Sequence, residues 1–203
     1  MTDGSGPRLA PLPRAEWGDD VRAALRTGFS DDVADRFMAT GADAVAVPNV
    51  VGTLMHHPAL AGPFLAYNAV LLRRPVLDAR VRELAVLRVA SRTGCDYEWA
   101  QHVRMAAAAG ITVDEIDAVA DGRDAAWSAF DAAVLAATDE LVDGYRVGDA
   151  TWRVLAEHLD ERQLVELVFV VGTYTGLAMA FNSFGLELDA DLPAAAMPTR
   201  SDR

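Results

Sequence analysis

Apolar residues recur every three to four positions along most of the chain, the spacing of amphipathic helices. No alternating apolar–polar run is bounded by hairpin turns, so the pattern favours no strand. The pattern therefore predicts an all-α protein. Its predicted helices are 17–25, 31–40, 60–72, 81–92, a helix from 95 or 96 to 109, 111–121, 124–144, 151–159 and 162–184.

Residues typical of helix termini mark many of these ends. Asp78 occupies an N-cap position, Gly94 a C-terminal stop, and Thr112 with Glu115 a capping box. The other predicted N-caps are Asp124, Asp160 and either Asp149 or Thr151, and the other stops are Gly110, Gly122 and Gly185. These start and stop signals predict short helices joined by turns at glycine.

The most apolar run, 164–181, contains Glu166, and a charge inside a membrane span is costly. We therefore interpret it as a buried core helix in which Gly172 and Gly176 permit close packing of helices. The length of 203 residues suits one domain with a sizeable core. We expect that domain over 15–190, between a flexible or draped Pro- and Gly-rich arm at 1–14 and a flexible tail at 191–203.

Composition narrows the range of partners and locations. The net charge is −12, and all 18 cationic residues are arginine. Such a chain lacks the basic surface that nucleic acids and anionic membranes require, so neither partner is expected. The single cysteine cannot form an intrachain disulfide, and the first 14 residues lack the apolar core of a signal peptide. These features predict a cytoplasmic protein.

Three chemically versatile side chains follow the corner at Gly94. Cys95, Glu98 and His102 are spaced by three and four residues, which places them on one helix face. At a helix N-terminus the Cys95 thiolate would be favoured, making it a candidate nucleophile. A small apolar filler at the corner is an equally good interpretation of Cys95.

Glu98 and His102 form an i, i+4 pair. Glu98 could orient the imidazole and raise its pKa, leaving His102 a proton carrier near neutral pH. By itself Glu98 also fits an ordinary acidic residue of a first turn. Glu83 lies about 16 Å before the corner and His102 about 12 Å after it, so antiparallel helices could bring them together. The alternative for Glu83 is an exposed first-turn charge.

The sequence supplies no recognisable metal or cofactor motif. The adjacent His56 and His57 lack the spacing for joint chelation, and no other cluster has ligand spacing. We therefore predict neither metal nor cofactor. A substrate carboxylate could be held in a bidentate fork by Arg88, Arg92 or Arg104.

The stretch RELAVLRVASRTGCDYEWAQHVRMAAAAGITVDEI resembles the core of the carboxymuconolactone decarboxylase family, which includes alkylhydroperoxidase D. Flanking segments extend the resemblance over roughly 45–188. It implies an alkylhydroperoxidase D-like helical bundle that forms homo-oligomers, as dimer, trimer or hexamer, with the active site at or near a subunit interface.

The alkylhydroperoxidase D branch has a glutamate, a CxxC motif and a histidine four residues after the second cysteine. By this resemblance Glu83, Cys95 and His102 occupy the glutamate, first-cysteine and histidine positions, and Glu98 stands where the second cysteine would be. The dithiol of the disulfide-cycling peroxidase is thus missing. The resemblance implies instead the decarboxylase side of the family, with a cofactor-free proton transfer on a small carboxylated lactone or similar ring compound.

Three functions follow from these patterns. The first is a decarboxylase or related lyase or isomerase, with His102 as general acid/base, Glu98 and Glu83 tuning it, and a small organic acid as substrate. The second is a single-cysteine peroxide reductase with Cys95 as nucleophile. The third is a non-catalytic helical oligomer with a binding role, in which the acids and the imidazole do not converge.

Overall fold

A computed structural model describes residues 6–41, 44–73, 75–121 and 127–190. Across these ranges the chain is helical without strands, which confirms the predicted all-α class. A short 3-10 helix, Arg14–Glu16, precedes the α-helices. The α-helices are α1 Asp19–Gly28, α2 Asp31–Met38, α3 Asn49–Leu54, α4 Pro58–Arg73, α5 Ala79–Thr93, α6 Asp96–Ala108, α7 Val113–Asp121, α8 Ala129–Gly144, α9 Asp149–His158 and α10 Glu161–Phe184.

The chain forms two compact units, and the first comprises Met1–Pro75 together with Ser183–Asp189. Helix α1 packs against α4 at the centre of this unit. Its apolar core is Val21, Ala24, Leu25, Ala34, Val51, Met55 and Ala61. The amphipathic faces of α1 and α2 supply part of this core, as their spacing requires.

The N-terminal arm lies against the first unit over part of its length. The Leu9 amide donates to the Phe184 carbonyl and the Leu12 amide to the Gly52 carbonyl, each at 3.0 Å. These bonds hold residues 9–12 against other parts of this unit. Residues 1–5 and the predicted tail at 191–203 lie outside the described residues.

The second unit contains Val76–Asn182 and is built around α5, which packs against α6, α7 and α8. Helix α5 is buried over most of its length. Arg88 forms a two-pronged ion pair with Asp139 on α8, with both N–O distances 2.7 Å. Arg92 binds Asp143 on the same helix at 2.7 Å. These ion pairs hold α8 along one side of α5.

Local capping determines where α5 and α7 begin and where α5 ends. The Asp78 carboxylate accepts from the Arg80 amide at 2.8 Å, and Gly94 ends α5 in the left-handed region with φ 64°. Glu115 accepts from the Thr112 amide at 2.8 Å, while Thr112 Oγ1 accepts from the Glu115 amide at 3.3 Å. The three predictions made for these ends are confirmed.

Two predicted N-caps are replaced by other residues. Helix α9 begins at Asp149 and is preceded by Gly148, without a side-chain cap, so neither Asp149 nor Thr151 is its N-cap. The Thr151 hydroxyl instead donates to Glu140 at 2.8 Å. Helix α8 begins at Ala129, capped by the Ser128 side chain. The predicted cap Asp124 and stop Gly122 lie outside the described residues.

Asp160 caps the start of α10 as predicted, and Asp160 and Gln163 exchange hydrogen bonds of 2.9 and 3.0 Å. The Glu166 carboxylate accepts from the amides of Val76 and Leu77 at 3.0 Å, which satisfies a charge on an apolar helix. Among the described residues, α10 alone has the length and composition to cross a membrane. One of its faces, however, contributes to the core of the second unit.

Candidate active site

Glu83 and His102 meet inside the second unit, on neighbouring turns of α5 and α6. Glu83 Oε2 lies 2.7 Å from His102 Nδ1. Glu83 is fully buried and His102 is 5% exposed. The two helices run back from the corner at Gly94 for similar lengths, which is why residues 19 positions apart come into contact. The alternative of an exposed charge at Glu83 is wrong.

Arg82 is the second side chain that contacts the Glu83 carboxylate, after His102. Its Nε donates to Glu83 Oε1 at 3.0 Å, so each carboxylate oxygen of Glu83 has a partner. Arg82 is itself 7% exposed, and a buried carboxylate of this kind is tolerated only when it is paired. Sequence reasoning missed Arg82, because nothing in the sequence singled it out before Glu83 was known to be buried.

Tyr174 on α10 covers the imidazole. The rings of His102 and Tyr174 are perpendicular, with centroids 5.0 Å apart and an interplanar angle of 89°. Burial raises the pKa of Tyr174 well above its usual range, and the nearby charge of Glu83 adds to the effect. Tyr174 therefore stays protonated. In the sequence, nothing in the apolar pattern of α10 distinguished Tyr174 from a tyrosine that only fills the core.

Glu98 is the site's neutral acid. It is 2% exposed, and neither of its carboxyl oxygens has a hydrogen-bond partner in the described structure. Burial raises its pKa to about 9, so it is protonated at pH 7. The prediction that Glu98 orients His102 is wrong in its contact, because Glu83 holds the imidazole. Glu98 instead carries a carboxylic O–H for which the described residues supply no acceptor.

Cys95 is the N-cap residue of α6 and is fully buried. Burial raises the pKa of its thiol to about 12, and the negative charge that Glu98 acquires at high pH contributes further. Hydrogen bonds from the amides of Glu98 and Tyr97 act in the opposite direction, as expected at a helix N-terminus, but their effect is smaller. The predicted thiolate is therefore wrong, and the thiol is neutral at pH 7.

The arginines predicted to bind a substrate carboxylate are placed differently from expectation. Arg88 and Arg92 are engaged by aspartates of α8. Arg104 is exposed on α6 and has no ion pair within the described ranges. Arg82 is the guanidinium in contact with the Glu83–His102 pair, and its two terminal nitrogens have no hydrogen-bond partner among the described residues.

Potential metal ligands do not cluster in the described parts of the chain. There, no group of three or more His, Cys, Asp or Glu residues has an arrangement that could hold a metal ion. Nε2 of His56 instead lies 2.9 Å from the Ala10 carbonyl oxygen. The site chemistry described here consists of an imidazole, two carboxyl groups, a guanidinium and a thiol.

Residues 58–140 match the profile of the carboxymuconolactone decarboxylase family. This match covers both helices of the site, and it confirms the resemblance found in the sequence. Residues 58–140 are therefore similar to that family. A comparison with curated proteins gives no match.

Several solved structures share the fold of this chain. An uncharacterised peroxidase-related protein with an alkylhydroperoxidase core, from Ralstonia eutropha JMP134, has a TM-score of 0.72 at 21% identity, covering 93% of this chain and 95% of its own. A peroxidase-related protein from Silicibacter sp. TM1040 has a TM-score of 0.71 at 18% identity, covering 95% and 97%. The debrominase Bmp8 has a TM-score of 0.63 at 15% identity, covering 90% and 92%. These similarities establish the alkylhydroperoxidase D-like fold.

Proposed function

We propose that this protein is a cofactor-independent decarboxylase or related lyase that transfers a proton to a small carboxylated lactone or related organic acid. The observation that carries the proposal is the buried 2.7 Å contact between Glu83 and His102. It lies in the same family domain as a second carboxyl group, Glu98, that is kept neutral by burial. A fixed imidazole and a neutral acid are suited to proton transfer near pH 7.

His102 is the general acid/base in this proposal. A proton on Nδ1 is donated to the Glu83 carboxylate, which fixes the ring and its tautomer. Nε2 is then free for substrate, because it has no hydrogen-bond partner among the described residues. Glu83 acts as a positioning residue for the imidazole. Arg82 in turn holds Glu83 through the 3.0 Å bond to its other oxygen.

The proposed reaction balances without an oxidant or a cofactor. The bond between the substrate's carboxylate carbon and its neighbour breaks, CO₂ leaves, and the electron pair remains as an enolate. Nε2–H of protonated His102 then gives its proton to that carbon. The Glu98 O–H stabilises the enolate oxygen by a hydrogen bond, which is strongest where negative charge develops. Solvent restores the proton on His102.

Relatives of the same fold support a small ring compound as the substrate class. A variant of the debrominase Bmp8 has been crystallised in complex with 2,3,4-tribromopyrrole. The family that residues 58–140 match takes its name from a lactone decarboxylase. Carboxylated lactones and hydroxy acids are therefore the first compounds to test for CO₂ release.

The experiment compares His102→Ala with His158→Ala, which changes an exposed histidine on α9. Loss of general acid/base catalysis should reduce turnover about 10²- to 10⁴-fold in His102→Ala, with circular dichroism unchanged. His158→Ala should retain wild-type turnover. Full activity in His102→Ala would reject the assignment.

A single-cysteine peroxide reductase is the second candidate, favoured by the two peroxidase-related proteins of similar fold. Such a reaction requires a thiolate and an external thiol to resolve the sulfenic acid. The fully buried, neutral Cys95 argues against it. The non-catalytic hypothesis predicts that the acids and the imidazole lie apart, and the Glu83–His102 contact argues against that. The cytoplasmic location and the absence of nucleic-acid and membrane partners stay predictions.

A further inference from the structure

Arg82 has more hydrogen-bond donors than its contacts in the site use. Its Nε donates to Glu83 Oε1 at 3.0 Å, while Nη1 and Nη2 have no partner among the described residues. The residue is nevertheless only 7% exposed. A buried cation whose donors are unpaired is costly unless something else pairs with them. The edge formed by Nη1 and Nη2 therefore indicates a ligand.

The unpaired nitrogens of Arg82 can be reached from solvent. In the described ranges, the fully buried polar side-chain atoms without a partner belong to Thr53, Asn68 and Glu98. Nη1 and Nη2 of Arg82 and Nε2 of His102 are not among these atoms, so each keeps some accessible surface. The two side chains are 9% and 7% exposed. A small molecule can therefore contact both the guanidinium edge and the free imidazole nitrogen.

One carboxylate holds Arg82 and His102 next to each other. Glu83 accepts from Arg82 through Oε1 and contacts His102 Nδ1 through Oε2. Because both oxygens belong to one planar group, the guanidinium and the imidazole lie within reach of a single small ring compound. Burial raises the pKa of Tyr174, and the positive charge of Arg82 acts on that pKa in the opposite direction. Arg82 is thus close to Tyr174 as well, on the side where the tyrosine covers the imidazole.

The movement of negative charge in the proposed reaction decides what Arg82 should bind. Loss of CO₂ takes the charge away from the departing carboxylate and places it on the oxygen of the resulting enolate. A cation held against the departing carboxylate would stabilise the substrate more than the transition state and slow the reaction. A cation held against the enolate oxygen interacts most strongly in the transition state, which is what catalysis requires.

We propose that the Nη1–Nη2 edge of Arg82 binds the substrate carbonyl oxygen that is conjugated with the reacting carbon, and stabilises the negative charge that develops there as CO₂ leaves. This role rests on the proposed lyase function and adds a catalytic residue to it. The bond to the departing carboxylate breaks, its electron pair forms the enolate, and the charge moves to the oxygen held by Arg82. Nε2–H of His102 then donates its proton to the enolate carbon, and the oxygen becomes a neutral carbonyl again.

Charge favours Arg82 over the neutral donors of the site. With His102 protonated, Arg82 and His102 are positive and Glu83 is negative, because burial raises the pKa of Glu98 and keeps it protonated at pH 7. One positive charge is left to balance a monoanionic substrate. A hydrogen bond from a charged donor is roughly twice as strong as one from a neutral donor such as the Glu98 O–H. Arg82 also stays charged when the imidazole gives up its proton.

Binding of a stable enolate tests the proposal without turnover. The probe is tetronate, the lactone enolate that tetronic acid forms at neutral pH. Its uncharged counterpart is methyl tetronate, in which the enolate oxygen is methylated. Isothermal titration calorimetry at pH 7 should show that wild type binds tetronate about tenfold or more tightly than methyl tetronate. Equal affinities, or no binding of tetronate, would overturn the proposal.

Arg82→Lys keeps a positive charge beside Glu83 and removes the planar edge with its two nitrogens. It should weaken tetronate binding about tenfold or more and leave the affinity for methyl tetronate unchanged. The matched control is Arg153→Lys, at an exposed arginine on α9, which should bind tetronate as wild type does. Equal tetronate affinities in these two variants would show that Arg82 does not hold the enolate. Circular dichroism and thermal unfolding verify folding, and Arg82→Gln replaces Arg82→Lys if that variant unfolds.

Glu83→Gln separates enolate binding from the support that Arg82 gives to Glu83. The amide oxygen of this variant can still accept from Arg82 Nε, so its tetronate affinity should stay within about threefold of wild type. A loss as large as that of Arg82→Lys would show that Arg82 acts only through Glu83 and would reject the proposal. His102→Ala should also keep the preference for tetronate over methyl tetronate. Full activity in His102→Ala would therefore reject the proposed acid/base role without touching the binding result.

Kinetics on the substrate found for the wild type identify the oxygen that Arg82 holds. Arg82→Lys should lower kcat about 10²- to 10³-fold with KM nearly unchanged, because the interaction is made in the transition state. A raised KM with unchanged kcat would mean that Arg82 holds the carboxylate of the bound substrate, and this result would overturn the proposal.

Discussion

Glu83 and His102 are 19 residues apart in sequence, and their side chains are 2.7 Å apart. Glu83→Gln preserves the size of the side chain and removes its charge, which leaves Arg82 and the imidazole without their ionic partner. We expect kcat to fall about 10- to 100-fold, with a smaller change in KM, because in the proposed mechanism Glu83 acts through His102 and does not contact substrate. Steady-state kinetics on the substrate found for the wild type measure both constants.

The matched control for this variant is Glu157→Gln, which changes an exposed glutamate on α9. Its kcat should equal that of wild type. If Glu83→Gln had the same kcat as this control, Glu83 would have only a structural role.

Glu98 should make the protein less stable as pH rises. Its pKa is about 9 in the folded protein against 4.5 when solvated, so between these values the folded state retains a proton that the unfolded state loses. The stabilising contribution is complete below pH 4.5 and is lost as pH rises to about 9. Relative to Glu98→Gln, wild type should lose up to about 1.4 kcal/mol per pH unit in this window.

Urea unfolding of both proteins at intervals between pH 5 and pH 9 gives this difference directly. A constant difference in the free energy of unfolding across that window would show that the folded protein ionises Glu98 at its ordinary pKa.

Cys95 should be unreactive in the native protein. Its thiol is fully buried with a pKa of about 12, so an aromatic disulfide reagent at pH 8 should not label it until the protein is unfolded. Val113→Cys, which introduces a thiol at an exposed site, should label at once and calibrates the assay. Rapid native labelling of wild type would revive the peroxide-reductase hypothesis, and loss of peroxide consumption in Cys95→Ser would then support it.

Glu115 should protect the fold against acid. The hydrogen bond from Arg80 lowers the pKa of Glu115 to about 2 from 4.5, and the Thr112 amide contributes. Its stabilisation is present above pH 4.5 and is lost as pH falls towards 2. Glu115→Gln should lower the free energy of unfolding by about 1 kcal/mol at pH 7, and this deficit should shrink below pH 4.5.

Urea titrations at several values between pH 7 and pH 3 test this trend. Asp114→Asn removes a neighbouring exposed carboxylate that has no ion pair in the described structure, and it should show no such trend. If the free energy of unfolding of both variants changed equally with pH, the ion pair between Arg80 and Glu115 would not be the cause of the acid effect.

The sequence predicted the helices well because the signals that end them are local. Asp78, Gly94 and the Thr112–Glu115 box act within a few residues of themselves, so no tertiary knowledge was needed. The contact of Glu83 with His102 was also predictable, because two helices of similar length reverse at one glycine.

The ionisation states of Cys95 and Glu98 could not be predicted from their neighbours in the sequence. Whether Cys95 is a thiolate and whether Glu98 is ionised depend on burial, and burial is decided by helices distant in sequence. Tyr174 reaches His102 from 72 positions further along the chain, within a helix whose composition alone indicates only a core. Arg82 was recognisable only once Glu83 was known to be buried.

The Glu166 carboxylate binds the amides of Val76 and Leu77, the two residues that lead into Asp78 and α5. Helix α10 thereby anchors the start of the helix that carries Arg82 and Glu83, in addition to placing Tyr174 over the imidazole. Removing α10 would therefore remove the hydrogen bonds that hold Val76 and Leu77 before α5. It would also remove the Tyr174 ring that packs against His102. The segment matched by the family profile, 58–140, consequently lacks both of these contacts from α10.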